Sequence, residues 1–198
     1  MKVLEFLNSR INCIYGIAGT GKTTLAMMSS IKLARENKSS FFIDSENGFS
    51  TERFKQLAGK DYEKLLEKIL VVKVKSFKEQ HNVIKQLLRI RNKFSLIVID
   101  TLTGYYRRLL NSKQELANKM LISQMKMLNS VSRYCPVIIV SQVYNSIENN
   151  EIRPVGGKIL FNRLNNLIEL KKNPRKIISL AKNIEKNIKI DDSGIVLI

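Results

Sequence analysis

The sequence is poor in several residue types. It has no tryptophan, 3 prolines, 2 cysteines and 1 histidine among 198 residues. The two cysteines stand apart in apolar surroundings, INCIY and RYCPVIIV. That excludes a disulfide framework and predicts that Cys13 and Cys135 are buried, reduced thiols. The lone His81 excludes a zinc cluster or a Ser-His-Asp triad, and leaves open a Mg²⁺ site built on oxygens. The longest apolar run, around Val137–Val140, is far shorter than the ~18 residues of a membrane span. The start, MKVLEFLNSR, has neither the apolar stretch nor the small-residue cleavage site of a secretory signal. A cytoplasmic location is the expectation. No Pro-rich or Gly/Ser-rich linker divides the chain, so one domain over residues 1–198 is expected. Acidic residues are scarce too: 17 Asp+Glu face 34 Lys+Arg, a net charge of +17. Such an excess has two readings, drift toward lysine or a polyanionic partner, nucleic acid first.

Short apolar runs alternate with helical segments. The runs Ile11–Tyr15, Ser40–Asp44, Ile69–Val74, Ser95–Asp100 and Val137–Gln142 read as strands. Lys22–Glu36, Ser50–Ala58, Ser76–Asn92 and Gln114–Tyr134 read as helices, and Ser76 with Glu79 forms a capping signal. Unbroken apolar strands, each followed by a helix, predict an α/β fold with a mostly parallel central sheet covered by helices on both faces. Beyond Gln142 the pattern changes. Tyr144–Gly157 reads as a polar loop, and four short runs between Leu167 and Ile198 read as antiparallel strands at the C-terminal edge of the sheet.

Gly16-Ile17-Ala18-Gly19-Thr20-Gly21-Lys22-Thr23 fits G-x-x-x-x-G-K-[ST] without mismatch and lies between a strand and a helix. Its glycines let successive backbone N–H groups face one anion, and the helix start adds its dipole. Lys22 would reach the β- and γ-phosphates of ATP, Thr23 would bind Mg²⁺, and Thr24 continues the cradle. Asp100, ending SLIVID, stands where a second Mg²⁺-binding carboxylate belongs. Hydrolysis also needs a group to orient water. Asp44 and Glu46 both follow the strand FFID, and strand alternation gives them the same side, so spacing does not choose between them.

GIAGTGKTT, FFIDSENGFSTERF, LIVIDTLTGYYRRLL, VIIVSQV and RPVGGKIL occur in an order that resembles the RecA/RadA recombinase family, in particular its short archaeal RadB branch. The resemblance runs from about Ile11 to Ile198. It implies a RecA-like P-loop NTPase fold, with Glu46 as the catalytic glutamate, Gln142 as the γ-phosphate sensor and Arg53 near the base. It also implies DNA-facing loops at Tyr105–Lys119 and Tyr144–Val155, which makes Tyr105, Tyr106, Arg107, Arg108, Arg153 and Lys158 the candidate DNA contacts. The charge agrees: residues 104–133 hold six basic side chains against one acidic, and residues 151–189 hold ten against three. Tyrosines beside arginines suit base stacking with phosphate contact.

The departures narrow the expectation. Only about ten residues precede the first strand, so no amino-terminal helix-hairpin-helix domain is expected, and Asn47 follows Glu46 where the family more often has glycine. The expected protein therefore binds ATP and Mg²⁺, binds DNA as an accessory of homologous recombination and repair alongside recombinase or other repair proteins, and hydrolyses ATP slowly. ATP then acts mainly as a conformational switch. A KaiC-like ATPase or kinase acting on a protein partner would share the P-loop, Glu46 and Asp100; the basic residues and paired tyrosines favour DNA.

Overall fold

The computed structural model describes residues 3–145 and 152–198. In chain order the elements are β1 (Ile11–Tyr15), α1 (Lys22–Arg35), β2 (Ser40–Asp44), α2 (Thr51–Ala58), α3 (Tyr62–Leu66), β3 (Ile69–Lys73), α4 (Phe77–Ile90), β4 (Leu96–Asp100), α5 (Gly104–Leu110) and α6 (Gln114–Val131). There follow β5 (Val137–Ser141), β6 (Val143–Asn145), β7 (Ile152–Pro154), α7 (Gly157–Phe161), β8 (Asn166–Lys172), β9 (Arg175–Ser179), β10 (Ile184–Asp191) and β11 (Gly194–Leu197). Local chemistry sets several helix starts. Ser50 Oγ accepts from Arg53 N at 3.1 Å, and Ser76 Oγ accepts from Glu79 N at 3.1 Å. Each satisfies a backbone donor that a helix start leaves unpaired.

One large sheet runs in the order β11-β10-β9-β8-β1-β5-β4-β2-β3. From β8 to β3 the neighbours pair in parallel; β9, β10 and β11 are antiparallel. Both faces are covered, which is why these strands show no polar alternation. Cys13, Ile43, Ile97, Ile99 and Ile139 face the layer of α4, α5 and α6. Ile14, Phe42, Val98, Ile138 and Val140 face the layer of α1, α2 and α3. Cys13 and Cys135 are buried and unpaired, and burial pushes the Cys135 thiol up to about 11. Among the described residues no helix is long and apolar enough to cross a membrane.

Three expectations need correction. First, Leu167–Lys171 lies in β8, which pairs parallel with β1 as well as antiparallel with β9. The chain between β5 and β8, including α7, works as a crossover, and a crossover returns a strand in the same direction. Second, residues 144–157 are not a plain loop. β6 and β7 form a two-stranded antiparallel ribbon with Val143 opposite Pro154 and Tyr144 opposite Arg153, and α7 begins at Gly157. Residues 146–151 of that expected loop lie outside the described residues. Third, residues 105–119 are largely helical, covering most of α5 and the start of α6. Tyr106 faces inward there, and only residues 111–113 between α5 and α6 are non-helical.

Candidate functional site

Strand register brings the candidate residues to one edge. Asp44 is opposite Asp100, Tyr15 opposite Ser141, and Asp100 opposite Val140. The segments after β1, β2, β4 and β5 therefore leave from the same level, the carboxyl end of a parallel sheet, where open α/β folds bind ligands.

The P-loop wraps the step from β1 to α1. Gly16, Gly19 and Gly21 have φ of 151°, 76° and 94°. A side chain at Gly16 would place Cβ 2.3 Å from the Leu170 carbonyl oxygen and 2.9 Å from Thr20 Oγ1. Only glycine fits against β8 there. Gly21 precedes α1 without a side-chain cap, so the first amides of the helix have no side-chain acceptor in place. Lys22 Nζ donates to Gly16 O at 2.8 Å and to Ile17 O at 2.9 Å. Desolvation lowers the Lys22 pKa, while Asp100 and Glu46 raise it. A 220 Å³ cavity lies over Gly19, Gly21, Lys22, Thr23 and Thr24. A 390 Å³ cleft shares its glycine wall and adds Arg53, Arg175, Ile190 and Asp191. Arg53 Nη2 donates to Asp191 O at 2.8 Å, so the β10–β11 turn closes this cleft.

Thr23 and Asp100 border a common space. A Cβ built on Gly48 would lie 3.4 Å from Thr23 Oγ1 and 3.7 Å from Asp100 Oδ2. Asp100 is 3% exposed, and its Oδ2 has no hydrogen-bond partner among the described residues. A buried carboxylate oxygen left over beside a hydroxyl fits a hard cation. Among the described residues no group of three His, Cys, Asp or Glu could hold a metal unaided.

Desolvation raises the Asp100 pKa to about 6; the Thr23 hydroxyl and Lys22 work against this, while Asp44 and Glu46 add to it. The folded chain thus holds this proton more tightly than the unfolded chain, whose aspartates titrate near ~3.9. The contribution of Asp100 to folding stability falls as pH rises between these two values and is lowest above about 6. Asp100→Asn should therefore raise Tm by about 5 °C at pH 7.5 without nucleotide. It should also abolish any Mg²⁺ dependence of nucleotide affinity. Thermal melts and nucleotide titrations with and without Mg²⁺ check both outcomes.

The carboxylates at the end of β2 and just beyond it have different jobs. Asp44 is 1% exposed, and its oxygens accept from Glu46 N, Gly48 N and Phe49 N at 3.2, 3.0 and 3.1 Å. It shapes the turn and has little capacity left for water. Glu46 is exposed, and its Oε1 accepts from Gln142 Nε2 at 2.5 Å. Asn47 takes φ 55°, the left-handed conformation that asparagine tolerates better than most residues other than glycine.

Several curated relatives carry the name DNA repair and recombination protein RadB. One from Methanococcus maripaludis is 36% identical over 178 residues, covering 85% of this chain and 81% of its own. The one from Methanococcoides burtonii is 31% identical over 172 residues, covering 84% and 76%. A family model described as Rad51 matches residues 5–194. The chain belongs to the Rad51 family, in its RadB branch. A crystal structure of the RadB recombinase superposes with a TM-score of 0.77 at 28% identity, covering 93% of this chain and 89% of the other. The Rad51 family comprises RecA-like nucleotide-binding proteins of DNA recombination and repair.

Against this Rad51-type frame, the candidate DNA contacts divide. Tyr106 is 4% exposed; its hydroxyl donates to Asn118 Oδ1 at 2.8 Å and its ring lies 6.2 Å from that of Phe77. It is a core residue and has no face free for a base. Tyr105 is half-buried, donates to Val74 O at 2.9 Å, and carries the Arg108 guanidinium 5.0 Å from its ring centre. Arg107 and Arg108 are exposed on α5, Lys158 is exposed on α7, and Arg153 is half-buried in β7. The exposed ring on the ribbon is Tyr144, at 42%. Gly104 and Asp44 carry parts of the site that sequence reasoning did not assign. A glycine directly after IDTLT was the one signal for Gly104, whose role is a close approach to Glu46.

Proposed function

We propose that the chain is an ATP-binding, DNA-binding accessory protein of homologous recombination and DNA repair, with slow hydrolysis and with ATP acting as a conformational switch. The observation that carries this reading is the link between Glu46 and Gln142. Gln142 stands between β5 and the ribbon, so its side chain bonds Glu46 while its backbone leads into β6. Gln142 would sense the γ-phosphate by its amide, which bonds phosphate or water without carrying charge. Glu46 would orient the attacking water. Lys22 and the P-loop amides would hold the phosphates, with Thr23 and Asp100 holding Mg²⁺. Bound Mg²⁺ supplies neutralisation of phosphate charge. Arg53 would border the base. Arg107, Arg108, Arg153 and Lys158 would contact DNA phosphates, and the exposed Tyr144 ring would offer a stacking surface.

The test compares two pairs of cations. Lys60 and Lys64 are exposed beside α2 and α3, over the opposite face of the sheet from α5. Neutralising Arg107 and Arg108 together should weaken single-stranded DNA binding by about 10-fold and flatten its salt dependence by about two phosphate contacts. Neutralising Lys60 and Lys64 should change it less than about 2-fold. Equal effects would return the +17 charge to surface decoration. No DNA binding with Mg²⁺ and ATP near 50 mM salt would favour a protein partner.

A further inference from the structure

Thr103 immediately precedes α5, where threonine ordinarily caps the helix with its hydroxyl. Here it makes no capping hydrogen bond. The Gly104 amide donates instead to Thr101 Oγ1 at 3.0 Å. The Thr103 hydroxyl, in a residue 0% exposed, reaches across the sheet edge to residues 38 and 39 positions away. It accepts from Gln142 N at 2.9 Å and lies 3.1 Å from Ser141 Oγ. Ser141, also 0% exposed, donates to Gln142 O at 2.8 Å and lies 3.3 Å from Val155 O. Val155 N donates to the same Gln142 carbonyl at 2.8 Å.

Proton bookkeeping orders these bonds. With the Ser141 proton given to Gln142 O, the Thr103 proton goes to Ser141 Oγ, and the Thr103 lone pair takes the Gln142 N–H. The bonds run in a closed ring from the Gln142 amide through two hydroxyls to the Gln142 carbonyl. The ring ties the start of α5, which bears Arg107 and Arg108, to both roots of the β6–β7 ribbon. Gln142, whose side chain is bonded to Glu46, sits inside it. Each member is buried or half-buried, so water competes poorly for these bonds.

We propose that Thr103 is a positioning residue, whose hydroxyl makes α5 and the β6–β7 ribbon respond together to what Gln142 binds. This rests on the reading of Gln142 as the γ-phosphate sensor. It adds the regulation of that site: a displacement of Gln142 reaches α5 and the ribbon through the two hydroxyls. Removing the Thr103 hydroxyl frees the Gln142 amide and breaks the path to α5, yet it leaves the P-loop untouched.

The test uses the full chain, a slowly hydrolysed ATP analogue with Mg²⁺, and amide hydrogen exchange at Val155 and its ribbon neighbours. In the unsubstituted protein the analogue should slow exchange at Val155 by about 10-fold. Thr103→Val should keep analogue affinity within about 3-fold and lose that slowing, whereas Thr103→Ser should restore it. Ser141→Ala opens the ring at its other hydroxyl while leaving the Gln142 amide bonded to Thr103; it should also lose the response, and it serves if Thr103→Val fails to fold. A full response in Ser141→Ala or Thr103→Val, or none in the unsubstituted protein, overturns the proposal. A ribbon response that Thr103→Val loses and Thr103→Ser restores, in a protein that does not bind DNA, upholds the Thr103 role and removes the DNA reading instead.

Discussion

Lys22→Ala should weaken ATP binding by about 100-fold while leaving the fold intact. The Lys22 ammonium already donates to Gly16 O and Ile17 O, so it holds the loop in shape before any ligand arrives. Desolvation lowers its pKa, but Asp100 and Glu46 pull the other way and favour the charged form. Alanine removes the cation proposed to face the phosphates and the two bonds to the Gly16 and Ile17 carbonyls. A hydrogen bond between Lys22 and a phosphate, charged on both sides, is worth ~1.5–3 kcal/mol, or roughly 10- to 150-fold in affinity. Lys22 belongs to neither apolar cluster of the core, so thermal stability should stay within a few degrees. Titration with a fluorescent ATP analogue checks the result. Unchanged affinity would sink the assignment of the site.

Glu46→Gln should slow whatever ATP turnover the chain has by about 100-fold, the scale of losing a positioned base, with nucleotide affinity within about 3-fold. Gly104→Ala should do nearly the same from outside the carboxylate. Its Cβ would sit 2.3 Å from Glu46 Oε1 and 2.9 Å from Thr101 Oγ1. Glu46 is the exposed, flexible partner, so it is the group that moves away, from Gln142 as well. Because both changes act on one carboxylate, the double substitution should be little worse than either alone. Steady-state phosphate release from the three variants is the measurement. Normal turnover in Gly104→Ala would show that the packing of Glu46 against α5 has no part in the chemistry.

The legible parts of this site are local in sequence. The P-loop declares itself because its glycines, lysine and threonine must fall at fixed spacing within one short segment, residues 16–23, to surround an anion. Asp100 declares itself because it ends an apolar strand. Asp44 and Glu46 could not be separated by alternation, since the difference lies in three backbone amides that fold back onto Asp44. The adjacent Tyr105 and Tyr106 look equivalent in the chain. Packing of α5 against α4 and α6 buries one and leaves the other half-exposed. The direction of β8 was hidden because a strand's own residues do not record which way its neighbour runs. Thr103 was hidden for a related reason: threonine before a helix reads as a cap, and its partners lie across the sheet.

The central claim is that nucleotide at the P-loop governs DNA binding through Gln142, and a single titration bears on it most directly. A labelled single-stranded oligonucleotide is titrated with the chain at 50 and 200 mM salt, with Mg²⁺ and a slowly hydrolysed ATP analogue either present or absent. Binding about 10-fold tighter with nucleotide, falling steeply as salt rises, is the predicted outcome. The same affinity with and without nucleotide, or no binding at either salt concentration, would contradict it.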